Sequence, residues 1–114
     1  MKKLFLFVFI FVVQTAHSAE WNELEGIYAV TAKNYLNQSV AESNETHYRI
    51  QLKGQSAEDL YRAISGKPAL GDCTSGMAKN AGEMQCLYFG KENKYECHFS
   101  INLEQQSVEY GISC

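Results

Sequence analysis

Four cysteines, at positions 73, 86, 97 and 114, are the residues whose types and spacing allow the most chemistry: a disulfide, a metal site or a reactive thiol. Two of them bound residues 86–97, CLYFGKENKYEC, in which two apolar runs surround a Gly-Lys-Glu-Asn loop. If this stretch is a hairpin with a four-residue loop, the opposed pairs are Cys86–Cys97, Tyr88–Tyr95 and, just outside it, Met84–Phe99. Opposed cysteines on adjacent strands lie within disulfide reach, so we predict a disulfide here.

The other two kinds of chemistry are disfavoured by the same register. A metal ion would need further ligands close by, and the nearest candidate, His98, follows Cys97 directly and so belongs to the opposite face of the strand. A reactive thiol needs exposure and a lowered pKa, and a cysteine between aromatic residues has neither. We therefore predict no metal and no cofactor.

A second hairpin leaves the pairing of the four cysteines open. A four-residue turn at residues 104–107 would set Leu103 opposite Val108, and the same register would set Cys97 opposite Cys114. The two candidate pairings are 86–97 with 73–114, and 97–114 with 73–86. We favour the first, because its second bridge would tie down both the long loop around Cys73 and the chain terminus.

Groupings of catalytic residues are weak in this sequence. Residues 71–76, GDCTSG, lack the G-x-S-x-G pattern of a nucleophile, and no apolar strand leads into them. A base for their cysteine or serine would have to be His47 or His98, which are both predicted on polar strand faces without a carboxylate partner. Glu58 and Asp59 are adjacent acids, but we place them in the first turn of a helix, where the helix dipole favours negative charge. We predict no enzymatic activity.

The elements that would position these residues indicate an α+β fold. Residues 46–53 alternate between apolar and polar side chains, which predicts a strand with one buried face. Residues 27–40 favour an extended segment that pairs with this strand. Ser56 is predicted to cap a helix that ends near Gly66 and Pro68. Its apolar stripe comprises Ala57, Leu60, Tyr61 and Ile64. We expect an antiparallel sheet of three to five strands, with a C-terminal meander and this helix packed on one face.

Residues 1–18 have the layout of a cleavable secretory signal. A positively charged start leads into an apolar run at residues 4–13, about half the length that spans a bilayer. Small residues at Ala16 and Ser18 predict cleavage after Ser18. We expect residues 19–114 to form one small disulfide-containing domain, periplasmic or secreted and not inserted in a membrane.

The charge of this expected domain argues against two classes of partner. Without Lys2 and Lys3, 8 basic side chains remain against 13 acidic ones, a net charge of −5. Nucleic acid and anionic lipid both need a basic protein surface, so neither is expected as a partner. A cationic protein partner is compatible with this charge.

Residues 66–82 form the longest stretch predicted to be irregular, and loops of this length are usually functional or mobile. We name Lys67, Pro68, Leu70 and Lys79 as its candidate contact residues. Together with the lack of a catalytic grouping, this loop favours an exported, non-catalytic binding protein, such as an inhibitor or immunity factor acting on another exported protein. An envelope structural or assembly protein and a small hydrolase are the alternative functions.

Residues 54–103 also carry a series of short motifs. The series consists of Gly54-Gln55-Ser56-Ala57, Leu60-Tyr61-Arg62-Ala63, Gly82 with Cys86, and Tyr95-Glu96-Cys97. It resembles a group of small exported bacterial proteins without an assigned function, in which such a helix is followed by a hairpin carrying two cysteines. The resemblance implies the 86–97 bridge and an envelope location, and it implies no activity or site residues. Cys73 and Cys114 are additions to that pattern.

Overall fold

The computed structural model describes residues 8–10, 19–33, 45–71 and 73–111. These residues form one helix and seven strands: β1 Gly26–Thr31, β2 His47–Lys53, α1 Gly54–Ala63, β3 Ala69–Leu70, β4 Met77–Ala81, β5 Met84–Phe89, β6 Lys94–Asn102 and β7 Ser107–Tyr110. No helix in these ranges has the length and apolar character needed to cross a membrane. The predicted signal and its cleavage site fall outside the described ranges, apart from residues 8–10.

All seven strands belong to one antiparallel sheet with the order β1-β2-β6-β5-β4-β3. The central strand β6 is paired along one edge by β2. Its other edge is shared, because β5 pairs with residues 94–98 and β7 with residues 99–102. Helix α1 packs on one face, against β6, β2 and β5. The predicted α+β architecture, with one helix on an antiparallel sheet, is confirmed.

The described residues contain seven strands and not three to five, which corrects the prediction. Two of the additional strands, β3 and β4, lie within residues 66–82, which are predicted to be irregular. Their residue types carry no strand pattern, and they are extended because β4 hydrogen-bonds to β5 along its whole length. The extended segment predicted over residues 27–40 is confirmed for β1, which pairs with β2, whereas residues 34–40 lie outside the described ranges.

Helix α1 begins two residues before the predicted cap. Strand β2 runs directly into it, and Lys53, at the N-cap position, makes no side-chain capping hydrogen bond. The Ser56 hydroxyl instead accepts the backbone N–H of Glu25, at 2.7 Å, and so joins the N-terminal arm to the helix. The first turn carries no acid, and Glu58 pairs with Arg62 one turn later. The predicted cap and the first-turn position of the acids were therefore wrong.

The Cys86–Cys97 disulfide lies at the centre of the core. The two Cα atoms are 4.0 Å apart and both residues are fully buried. The predicted apolar stripe of α1 packs over them, with Ala57, Tyr61 and Ile64 all buried. This bridge confirms the predicted register of the β5–β6 hairpin and excludes the pairing 97–114 with 73–86.

The second predicted bridge is only partly within the described residues. Cys73 is also disulfide-bonded. Its predicted partner, Cys114, lies outside the described ranges.

The β6–β7 hairpin has a different register from the predicted one. Val108 lies opposite Ile101 and not opposite Leu103, so the turn is at residues 103–106. Tyr110 lies opposite Phe99 and not opposite Ile101. Because β5 already occupies the edge of β6 beside Cys97, β7 does not extend there.

The side chain of Asn102 explains the shift in register. Its Oδ1 accepts the backbone N–H groups of Glu104 and Gln105, at 3.1 and 3.0 Å, which starts the turn directly after β6. The predicted pair of Met84 with Phe99 is likewise absent from the β5–β6 ladder, since Phe99 is paired with β7. A local side-chain hydrogen bond thus decides the register where the apolar alternation does not.

Candidate binding site

Helix α1 lies on one face of the sheet, and the opposite face, here called the open face, carries a cleft. Strand pairing places the odd-numbered residues of β1, β2 and β5 and the even-numbered residues of β6 on the open face. The cleft measures about 400 Å³ and lies between β1 and the loop that carries Thr74. Since ligand pockets typically measure ~300–1,000 Å³, this open-face cleft is the candidate functional site.

Strand β1 supplies an apolar wall of the open-face cleft. Ile27, with 55% of its surface exposed, and Ala29 line the cleft, and no residue of β1 is charged. The strand is held extended by β2, which pairs with all six of its residues. The wall is therefore an ordered apolar surface that is open to a ligand.

The opposite wall is a tight loop that packs on β5. The Gly71 N–H donates to the Gly76 carbonyl at 2.9 Å and closes the loop. A Cβ at Gly71 would lie 2.8 Å from the Leu87 side chain, and one at Gly76 would lie 3.1 Å from the Phe89 ring. Glycine at both positions thus lets the loop lie directly on β5, and this holds Thr74 at the rim of the cleft.

Polar side chains line the floor between the two walls. The Arg49 Nε donates to the Thr31 hydroxyl at 2.9 Å, which orients the guanidinium. His98 Nε2 lies 3.2 Å from Glu96 Oε2, and Gln51 is paired directly opposite His98. The floor therefore offers both donors and acceptors, the combination that the N–H and C=O groups of a peptide require.

A second polar cluster clamps β7 to β2 and β6. His47 is only 3% exposed, and its ring nitrogens lie 2.8 Å from Thr46 Oγ1 and 2.9 Å from Glu109 Oε2. The Asn102 amide donates to Glu109 Oε1 at 2.8 Å. The hydrogen bonds from Asn102 and then His47 lower the pKa of Glu109 below its ordinary value.

Both histidines have carboxylate partners, which corrects the prediction that neither does. Sequence reasoning missed Glu109 because it is 62 residues from His47 and is brought there only by the pairing of β7 with β6. Glu96 could have been found, since it is two residues from His98 and thus on the same strand face. Among the contacts of the described residues neither histidine meets a serine hydroxyl, and Cys73 is disulfide-bonded and so is no free nucleophile.

The four predicted contact residues lie in or next to β3 and β4, at the opposite end of the sheet from β1. Lys67 and Pro68 are exposed just before β3, and Leu70, in β3, is 71% exposed. Lys79, in β4, packs on Tyr61, with Nζ 4.6 Å from the ring centroid and donating to the Tyr61 carbonyl at 3.3 Å. None of these four lines the open-face cleft, to which residues 66–82 contribute Thr74.

Neither a metal site nor a known relative assigns a role to this cleft. Within the described ranges, no group of three or more His, Cys, Asp or Glu residues is arranged to hold a metal ion. In the comparisons with known proteins, no family model matches the chain, and no curated protein or solved structure is significantly similar to it. The candidate site therefore rests on the geometry of the cleft.

Proposed function

We propose that the protein is an exported, non-catalytic binding protein that holds an extended segment of another exported protein in the open-face cleft. The observation that carries this proposal is the asymmetry of the sheet. One face is packed under α1, whereas the other keeps a cleft of about 400 Å³ with an apolar wall and a hydrogen-bonding floor. Apolar clefts with a few convergent polar groups are the usual form of a binding site.

The chemistry of the cleft favours a peptide segment. Ile27 and Phe89 offer apolar contacts on the two sides, and the amide of Gln51 between them suits a peptide backbone. The net charge of −5 for residues 19–114 favours a cationic partner, because opposite charge accelerates encounter. An inhibitor or an immunity factor acting on a basic exported protein fits both properties.

The location in the periplasm or outside the cell is part of the same proposal. A fully buried disulfide at the centre of the core is typical of a protein that matures in an oxidising compartment. The signal layout of residues 1–18 supports export, with cleavage after Ser18. A partner that meets this protein would share that compartment.

Site-specific photo-crosslinking tests the proposal. A photoreactive residue at Gln51, in the floor, should crosslink one defined protein in an extract of the cell envelope or culture medium. The same residue at Leu70, which is exposed at the opposite end of the sheet, serves as the control and should not crosslink it.

A size series at one position provides the second arm of the test. Gln51→Trp should fill the cleft and reduce binding of the crosslinked partner at least about tenfold, whereas Gln51→Ala should retain most of the affinity. If a partner is captured from Leu70 and not from Gln51, the binding surface is the one around residues 66–70 and the cleft is excluded. If both positions capture nothing, the proposed binding function fails.

A further inference from the structure

We propose that β1 pairs antiparallel with β1 of a second copy of this chain, about a twofold axis at Tyr28. The two sheets would then continue into each other, with both helices on the same face. This inference goes beyond the proposed function in naming the second copy, and rests on it only where the dimer is said to complete the open-face cleft.

The backbone of β1 has a free edge for this pairing. The carbonyls of Glu25 and Thr31 accept the N–H groups of Lys53 and Thr46, at 3.1 and 3.0 Å. Backbone groups of successive strand residues point to alternate sides, so those of residues 26, 28 and 30 are directed away from β2. Strand β1 ends the sheet order, and no described strand pairs with this side.

The edge at β1 carries neither of the two residue types, charged residues and proline, that commonly prevent strands from associating. Residues 26–31, GIYAVT, contain no charge and no proline, and Tyr28 is 69% exposed. The other end of the sheet is protected: β3 has only two residues and follows Lys67 and Pro68 directly. This contrast favours β1 as the edge that pairs with a strand of another chain.

The side chains of β1 are complementary to themselves in this register. With Tyr28 opposite Tyr28 of the second copy, Gly26 lies opposite Val30, and all three outward-directed residues are paired. A hollow of about 120 Å³ lies beside Gly26, on the face that carries α1, bordered by Leu24 and Tyr28. Val30, 40% exposed on the same face, would enter the hollow of the other copy, once on each side of the axis.

The same register joins the two open-face clefts. Ile27 of one copy would lie opposite Ala29 of the other, and both residues line the apolar wall of a cleft. The two paired β1 strands would therefore lie in the middle of one longer trough, which joins the clefts of both copies. Each binding site is completed by residues of the second copy, so a bound segment could cross the axis.

Charge substitutions at the axis test this geometry. The wild-type chain should be a dimer by native mass spectrometry and sedimentation at micromolar concentrations. Tyr28→Lys should raise the dissociation constant at least about tenfold, because two lysines would face each other at the axis. An equimolar mixture of the Tyr28→Lys and Tyr28→Glu chains should restore a dimer that contains one of each. Leu70→Lys, an equally exposed substitution on β3, should leave the dimer unchanged.

Each contrary result has a defined meaning. A monomeric wild-type chain, or a dimer that survives Tyr28→Lys, would overturn the pairing. If Gln51 still crosslinks a foreign protein in that case, the proposed function stands without the dimer. Circular dichroism shows whether the variant is folded, and the mixed-charge dimer shows that it can still pair. A dimer whose Gln51 captures nothing would retain the pairing while the proposed function fails, so the two failures are distinguishable.

Discussion

At the scale of single residues, Glu109 joins three strands of the sheet. Its two carboxylate oxygens hold His47 of β2 and Asn102 of β6, so that one side chain of the short strand β7 fastens it to two longer strands. Asn102 also starts the turn before β7. The contact of Glu109 with His47 could not be predicted from periodicity, because a hydrogen bond between residues 62 positions apart leaves no trace in local alternation.

The pH dependence of stability should reveal the contribution of the Glu109 carboxylate. The pKa of Glu109 is lowered in the folded protein, so its ionised form stabilises the fold above the ordinary value of 4.5, and this contribution is lost as the pH falls through the folded-state pKa. We expect Glu109→Gln to be less stable than wild type at pH 7 and to lose less stability on acidification below about pH 4.5. Urea unfolding at several pH values measures both effects.

The matched control for this experiment is Glu104→Gln. It removes a carboxylate of the same kind from the exposed turn just before β7, outside the hydrogen bonds to His47 and Asn102. Parallel pH profiles for Glu109→Gln and wild type would show that ionisation of Glu109 contributes nothing to stability.

At the scale of elements, the two C-terminal hairpins show what alternation can and cannot decide. The β5–β6 register was predictable because a four-residue loop sets residues of like character opposite each other, Cys86 with Cys97 and Tyr88 with Tyr95. Asn93 takes a positive φ of 48°, which asparagine tolerates, and so closes that loop. The β6–β7 register was not predictable in this way, because two registers satisfy the alternation equally and Asn102 selects one of them.

Removal of the central disulfide should lower the stability of the protein and leave its strands in place. The double substitution Cys86→Ala and Cys97→Ala removes the covalent link between β5 and β6. It should lower the free energy of unfolding by about 2–4 kcal/mol, the usual contribution of a native bridge. Denaturant unfolding gives the value, and a circular dichroism spectrum like that of wild type shows that the strands remain. A change well below 1 kcal/mol would mean that packing under α1 holds the hairpin without the bridge.

At the scale of the whole molecule, the open-face cleft is assembled from residues as distant as Ile27 and Gly111. Sequence patterns predicted the strands that carry most of its lining and the pairing of β1 with β2, but not the pairing of β2 with β6, which joins segments distant in the chain. They also placed the contact residues in the loop around Lys67 and Leu70, because a loop without periodicity was the only visible sign of function. The physical sign that was missed is an uncharged strand at the end of the sheet.

The predicted second disulfide would join the two segments that contribute Thr74 and Gly111 to the open-face cleft. Gly111 lines the cleft and lies so close to β6 that a Cβ there would be 2.7 Å from the Phe99 Cα. Thr74, beside the disulfide-bonded Cys73, lines the same cleft.

We therefore expect non-reducing peptide mapping of the exported protein to find Cys73 joined to Cys114, in a chain that begins at Ala19. Substitution of both cysteines by serine should reduce the free energy of unfolding by up to about 4 kcal/mol, because the bridge closes a longer loop than Cys86–Cys97 does. A free thiol at either position in the native protein would refute this bridge.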